Sequence, residues 1–192
     1  EGHTDRINQV IYSPDETRLV TASNDKTARI WDVKKGKLLY TLEGHKNGVT
    51  NVYYSPDGKI IVTGSGEKHF KEGDNTARVW DAATGKLISI IELNGSIAGI
   101  IWNDKRIIAT DNSSVYLFDL ETGKELIRWV AVDKEDWVVT HPSGLFDASP
   151  GAMDKLYFVT NLDIIEFSQL KTRYYEPGLW KKAVSGEKLR NV

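Results

Sequence analysis

An internal repeat constrains the fold of this chain more than any other feature of the sequence. Residues 25–32 read Asp-Lys-Thr-Ala-Arg-Ile-Trp-Asp, and residues 74–81 read Asp-Asn-Thr-Ala-Arg-Val-Trp-Asp. A Gly-His dipeptide precedes both copies, at Gly2 and again 42 positions later at Gly44. A period of about 40–45 residues is typical of a four-stranded unit that stacks against copies of itself. The chain is therefore expected to be an array rather than one irregular core.

Each copy of the repeat has the pattern of four short strands joined by tight turns. In the first copy, an apolar run through Val10 ends at Ser13-Pro14-Asp15, and a second run ends at Asn24-Asp25-Lys26. Polar and apolar residues then alternate up to Trp31, and Lys35-Gly36 leads into a fourth apolar run. These turn residues and alternations predict an antiparallel meander. One such sheet cannot bury both of its faces, so neighbouring sheets must cover them.

A repeat with Gly-His at one end and Trp-Asp at the other resembles the WD-repeat β-propeller family. The resemblance implies an all-β fold of propeller blades. It also implies a side-chain network across each blade, made by His3, Ser23, Asp25 and Trp31 in the first copy and by His45, Ser65, Asp74 and Trp80 in the second. A buried polar chain that ends on an indole N–H satisfies its own hydrogen bonds, so we interpret both sets as structural rather than catalytic.

The repeat divides the first two thirds of the chain into three predicted blades. These cover residues 1–43, 44–93 and 94–132, which together form a propeller segment 1–132. The third blade is degenerate, because Asn94-Gly95 stands in place of Gly-His and Phe118-Asp119 in place of Trp-Asp. Its network cannot form in the same way. Packing is expected to hold it, with residues 125–132 as its outer strand.

Residues 133–192 are predicted to be a C-terminal extension. A β-hairpin is expected around Pro142-Ser143-Gly144, an amphipathic helix over 163–175 and a short second helix over 179–184. The segment resembles the C-terminal extension of bacterial WD-repeat proteins, some of which carry a caspase-like peptidase domain. A partial fourth blade is the alternative interpretation of its first part.

The number of blades predicts self-association. Closed propellers have about 4–8 blades, and this chain supplies three. Uncovered terminal sheets would expose large apolar faces, which soluble monomers rarely do. We therefore expect copies of the chain to close a ring as a homo-oligomer. The competing explanation is that the chain is the C-terminal piece of a longer propeller.

The loops that carry Gly-His are the predicted binding surface for a protein or peptide partner. By the resemblance, an insertion at 66–73 lies on the same rim as these loops, and it offers an aromatic side chain between charged neighbours. A solvated loop that tolerates insertion is the alternative for this segment. The candidate partner-binding residues are Arg6, Asn24, Lys46, Asn47, Lys68, His69 and Phe70.

The remaining sequence excludes several kinds of site. There is no cysteine, no His pair has metal-ligand spacing, and no phosphate-binding or nucleophile motif occurs, so we expect no metal, no cofactor and no enzyme activity. The net charge of −2 disfavours nucleic acid as a partner, and the basic tail residues are interpreted as a solvated helix face. No apolar stretch is long enough to cross a membrane, and the expected location is cytoplasmic.

The predicted function is a non-enzymatic interaction scaffold that binds protein or peptide partners. The alternative is a regulatory or sensing module of a bacterial caspase-like peptidase system whose catalytic domain lies outside this chain. Loss of partner capture on replacing His69 and Phe70 with Ala, at unchanged thermal stability, would support the scaffold.

Overall fold

The structure is a computed structural model of a mostly β protein. It describes residues 2–65, 74–92, 99–103, 106–110, 114–159 and 164–192; the side chains of 99–103, 157–159, 164 and 168 are outside this description. Two compact units divide the chain: Glu1–Asn112 with Asp119–Lys124, and Ser113–Phe118 with Glu125–Val192. The chain is expected to be an array of antiparallel sheets, and this expectation is confirmed.

The first unit begins with two four-stranded antiparallel meanders, which we call blade one and blade two. Blade one contains β1 (Ile7–Tyr12), β2 (Arg18–Ser23), β3 (Ala28–Asp32) and β4 (Lys37–Leu42), hydrogen-bonded in that order. Blade two contains β5 (Val49–Tyr54), β6 (Ile60–Ser65), β7 (Thr76–Asp81) and β8 (Leu87–Glu92), in the same order. The sequence repeat is therefore a repeat of strand order.

The repeat extends to the irregularities of the backbone. The register of blade one shifts between Ile7 and Gln9, and again between Ile30 and Trp31. Blade two shifts at the equivalent places, between Val49 and Asn51 and between Val79 and Trp80. A shift of this kind re-aims the side chains beyond it. The same two irregularities therefore orient the tryptophan in the same way in both blades.

The two blades pack face to face around a shared core. Ala28 and Ile30 of β3 lie in one apolar cluster with Ile61 and Trp80 of blade two, and all four are buried. A polar contact also joins the first strands of the two blades: the Gln9 Oε1 atom of β1 accepts a hydrogen bond of 2.7 Å from the Val52 N–H of β5. One face of blade one therefore covers the tryptophan-bearing face of blade two. The first unit also contains a hairpin of β9 (Gly99–Asn103) and β10 (Arg106–Thr110).

The second unit is built on an antiparallel sheet with helices on both faces. Its strands are β11 (Ser114–Asp119), β12 (Glu125–Ala131), β13 (Trp137–Thr140) and β14 (Phe146–Ala148), paired in that order. The strand predicted over residues 125–132 is present as β12 and pairs with β11, but it is not the outermost strand of its sheet, because it also pairs with β13. The predicted hairpin around residues 142–144 is present as β13 and β14, and it continues the sheet.

Three helices and a small hairpin complete the second unit. They are α1 (Pro150–Lys155), β15 (Tyr157–Val159), β16 (Ile164–Glu166), α2 (Phe167–Tyr174) and α3 (Leu179–Ser185). The predicted helix over 163–175 begins later than expected, because residues 164–166 pair with β15 and Glu166 then forms a capping box with Gln169. The short second helix is present as α3, and α1 was not predicted. Among the described residues, no helix is both long and apolar enough to cross a membrane.

Candidate functional site

A polar network crosses each blade from its Gly-His loop to its tryptophan. In blade one, the His3 Nδ1 atom lies 2.7 Å from the Asp25 carboxylate, and the His3 Nε2 atom lies 2.6 Å from the Thr21 hydroxyl. The Trp31 indole N–H donates to the same Thr21 oxygen at 2.9 Å. The order of the network is therefore aspartate, histidine, threonine and tryptophan.

Blade two repeats this geometry almost to the ångström. His45 Nδ1 lies 2.8 Å from the Asp74 carboxylate and His45 Nε2 lies 2.7 Å from the Thr63 hydroxyl. The Trp80 indole N–H donates to Thr63 at 2.9 Å. An ionised carboxylate only accepts, so the histidine carries its proton on Nδ1 and its Nε2 accepts from the threonine O–H. Every side-chain polar atom of the blade-two network then has a hydrogen-bond partner.

The threonine link was missed by the sequence analysis, which placed Ser23 and Ser65 in the network. Trp31 pairs with Leu19 across the sheet, so Thr21 is its diagonal neighbour and lies within reach of the indole. Ser23 is two residues farther along the strand, about 7 Å away at ~3.3 Å per residue. Its hydroxyl donates instead to the Asp5 carbonyl and accepts from the Asp25 N–H, both at 3.1 Å.

Ser65 of blade two also lies outside the network. Its hydroxyl contacts the Asn47 and Gly48 carbonyl oxygens at 3.2 and 3.1 Å. Both serines therefore tie the Gly-His loop to the second strand. Threonine and serine stand two residues apart in both β2 and β6, on the same face of the sheet, so the sequence pattern did not distinguish them.

Burial and hydrogen bonding set the protonation states of the network. Burial opposes ionisation of Asp25, but hydrogen bonds from Thr27, His3 and the backbone N–H groups of Thr27 and Thr4 outweigh it and lower its pKa to about 2. Burial lowers the pKa of His45, although the hydrogen bond and the charge of Asp74 act in the opposite direction. Asp74 itself has a lowered pKa, because hydrogen bonds from Thr76, Lys46 and His45 outweigh its burial. An ionised aspartate beside a neutral histidine suits a structural link.

The candidate partner-binding residues of the two blades lie side by side. Asn24 packs against Gly48, and the Asn8 side-chain amide donates to Asn24 Oδ1 at 2.7 Å and to the Val49 carbonyl at 2.9 Å. Exposed Arg6 lies beside Asn24, because its carbonyl accepts a 2.9 Å hydrogen bond from the Asn24 N–H. The loop of blade one therefore contacts the loop of blade two.

Lys46 and Asn47 complete this surface from blade two. The Lys46 side chain is exposed, while its backbone N–H donates to Asp74 at 2.7 Å. We call the surface of Arg6, Asn24, Lys46 and Asn47 the Gly-His rim. Lys68, His69 and Phe70 lie outside the described residues. Within the described ranges, no cluster of three or more His, Asp or Glu side chains could hold a metal ion.

Comparison with known proteins identifies the two sheets that carry this network. The family model "WD domain, G-beta repeat" matches residues 1–32 and 36–81. Blades one and two are WD repeats. The match covers both Gly-His loops, both networks and both Trp-Asp ends. Repeats of this family generally serve as non-catalytic interaction modules.

Individual WD-repeat relatives match only a short part of the chain. A segment of 38 residues is 47% identical to Denticleless protein homolog B of Xenopus laevis, and covers 20% of this chain and 5% of that protein. A segment of 41 residues is 46% identical to Periodic tryptophan protein 2 of Saccharomyces cerevisiae, and covers 21% and 4%. A segment of 44 residues is 43% identical to THO complex subunit 3 of Arabidopsis thaliana, and covers 22% and 14%. The chain thus spans a small fraction of these relatives.

Proposed function

We propose that this protein is a non-enzymatic interaction scaffold, assembled from several copies, that binds a protein or peptide on its Gly-His rim. One observation carries the assembly. The tryptophan-bearing face of blade two is covered by blade one, whereas the equivalent face of blade one stays exposed at Ile7, Val10 and Tyr12.

The repeat allows this comparison residue by residue. Val49 and Val52 of blade two are 0% and 1% exposed, and the equivalent Ile7 and Val10 of blade one are 48% and 50% exposed. The same holds for the tryptophans, because Trp80 is 3% exposed and Trp31 is only half-buried. The equivalent side chains are of the same chemical class, so the difference in their exposed fractions reflects the sheet that covers blade two on this face and, within the described residues, has no counterpart on blade one.

Covering this face of blade one with a sheet of another copy would be favourable. Complete burial of a large apolar side chain contributes about 1.5–3 kcal/mol, so burying the exposed halves of Ile7 and Val10 contributes roughly 1 kcal/mol each. Tyr12, at 60% exposure, adds a larger area. A second copy supplies sheets of the same construction, and a head-to-tail contact between copies closes a ring when its rotation permits.

The mass in solution tests the assembly. Light scattering of the intact chain is expected to give a multiple of 21.6 kDa, and Val10→Glu is expected to give 21.6 kDa with an unchanged circular dichroism spectrum. Ile88→Glu is the matched control, because Ile88 is a similarly exposed apolar residue on the outer strand of blade two. A wild-type chain that remains a 21.6 kDa monomer contradicts the assembly.

The proposed binding role rests on the composition and position of the Gly-His rim. The two loops bring exposed amide and cationic side chains together, and their backbones are held by the networks beneath them. The histidine–aspartate pairs, which resemble catalytic pairs in sequence, have their hydrogen bonds occupied within the blade. These groups therefore support the loops rather than a reaction.

Peptide selection tests the binding role. Peptides selected on the wild-type chain are expected to lose about tenfold or more in affinity for the double variant Asn24→Ala/Lys46→Ala, since a few interface side chains carry most of a binding energy. Lys59→Ala is the control, because Lys59 is exposed in the β5–β6 turn at the other end of blade two. Equal affinity for the rim variant and the control would contradict binding at this rim.

A further inference from the structure

A cavity lined by three tryptophans lies on one face of the second unit's sheet. Side chains alternate along strands, so Trp129, Val139 and Asp147 point to the same face, since Val139 pairs with both of the other residues. Helix α3 packs against β12, β13 and β14 and adds Trp180. The cavity measures about 440 Å³ and is lined by Val115, Trp129, Trp137, Val139, Asp147 and Trp180.

These tryptophans do not belong to the apolar cluster that helices α1 and α2 form with the sheet. That cluster is on the opposite face, where Val138 and Phe146 pack with Ala152 of α1 and Phe167 of α2. The three indole side chains stay half-buried. Half-buried tryptophans around one concavity are typical of a binding site rather than of a closed core.

The charged group of the cavity is the carboxylate of Asp147, which is 7% exposed. Its Oδ2 atom accepts a 2.7 Å hydrogen bond from the Gly178 N–H, and Tyr175, whose pKa is raised by burial and by Asp147, also hydrogen-bonds to it. Within the described part of the chain, Asp147 forms no ion pair. The nearby Lys182 and Arg190 are paired with Glu176 instead.

Aromatic walls beside one buried carboxylate that has no cationic partner among the described residues favour a cationic ligand. The face of an indole ring attracts a cation electrostatically, and the attraction grows when the cation is removed from water. A primary ammonium is strongly hydrated and needs acceptors for three N–H groups, whereas Asp147 is the one carboxylate among the lining residues of the cavity. A quaternary trimethylammonium group has no N–H donor, and its methyl groups match the apolar walls.

We propose that this cavity binds a methylated ammonium group, such as that of choline or of a trimethylated lysine side chain. The indole rings surround the methyl groups, and Asp147 supplies the opposite charge. The Gly178 and Tyr175 hydrogen bonds fix the carboxylate in place. Neither the Gly-His rim nor the uncovered face of blade one takes part in this site.

Calorimetric titration of the full chain with choline tests the proposal. We expect saturable binding that is about tenfold tighter than binding of 3,3-dimethylbutan-1-ol, the uncharged isostere of choline. Trp180→Ala and Asp147→Asn are each expected to weaken choline binding several-fold. Tyr40→Ala, which removes an exposed aromatic ring from the outer strand β4 of blade one, is expected to leave it unchanged. Trp180→Phe keeps an aromatic wall and serves if the alanine variant does not fold.

A pair of peptides distinguishes the two sources of the ligand. One peptide carries a single trimethylated lysine and the other carries unmodified lysine at the same position. Tighter binding of the methylated peptide than of choline assigns the site to a protein ligand. Tighter binding of choline than of the peptide assigns it to a small trimethylammonium compound. Both results support the proposal. Three results would overturn the proposal. They are binding of the uncharged isostere as tight as that of choline, no saturable binding of either choline or the methylated peptide, and a Trp180→Ala variant that changes the oligomer mass without weakening choline binding.

Discussion

Replacement of Thr63 by Val isolates the central link of the blade-two network. Valine has nearly the same shape, so the change removes one hydroxyl and leaves packing intact. Two buried groups lose their partner at once, the Trp80 indole N–H at 2.9 Å and the His45 Nε2 atom at 2.7 Å. A buried polar group left unsatisfied costs about 1–3 kcal/mol, so the loss of both partners predicts a fall of roughly 2–6 kcal/mol in the free energy of unfolding.

The repeat supplies a control with the same chemistry and a different environment. Thr21→Val removes the same link from blade one, where Trp31 is half-buried and water can replace the lost acceptor. We expect this variant to lose only about 1–2 kcal/mol. Urea unfolding followed by tryptophan fluorescence, at a dilution that keeps the chains separate, measures both. A loss below about 0.5 kcal/mol for Thr63→Val, or equal losses for Thr63→Val and Thr21→Val, would contradict the claim that the buried Thr63 hydroxyl stabilises blade two by satisfying two buried groups.

Two further predictions concern a turn and the response to acid. Gly123→Ala is expected to destabilise the protein by more than Gly36→Ala. Both glycines have φ near +65°, which costs an alanine ~1–2 kcal/mol, but at Gly123 the new methyl would also lie 2.5 Å from the Ile90 carbonyl oxygen. Thermal melts of the two variants measure the difference. Stability should fall as the pH drops below 6.5, because the pKa of His45 is lowered in the folded chain and the unfolded chain therefore binds more protons than the folded one. The variant His45→Asn should show a smaller fall in stability over this first pH step. A second fall is expected between pH 3.8 and about 2, where folded Asp25 becomes protonated; a flat melting temperature from pH 7 to 4.5 would contradict the first step.

Blades one and two are the part of the fold that local sequence patterns predict best. Strand order and both ends of the network in blades one and two follow from the repeat, because turn residues and alternation act locally. The middle of the network did not follow, since Thr21 and Ser23 carry the same hydroxyl group and only the register of β2 against β3 distinguishes them.

The helices of the second unit show the same limit. Ile164 fits the apolar spacing of a helix that begins at residue 163, yet it belongs to a strand, because pairing with Val159 satisfies its backbone. Helix α1 is too short for a periodic signal. Its start is marked only by Ser149, whose hydroxyl accepts from the Ala152 N–H, and by the proline that follows.

Local sequence patterns encode the repeating unit of this protein: four strands, the three tight turns that join them, and the residues that end each network. These depend on contacts between positions close together in the chain. Only the tertiary structure decided which copy of a residue is covered, as Val10 and Val52 show, because burial depends on the neighbour and not on the residue. It also decided that β13 and β14 continue the sheet of β11 and β12, and that Trp129, Trp137 and Trp180 meet around one carboxylate. Residues so far apart along the chain are brought together by strand pairing and helix packing, which no local pattern encodes.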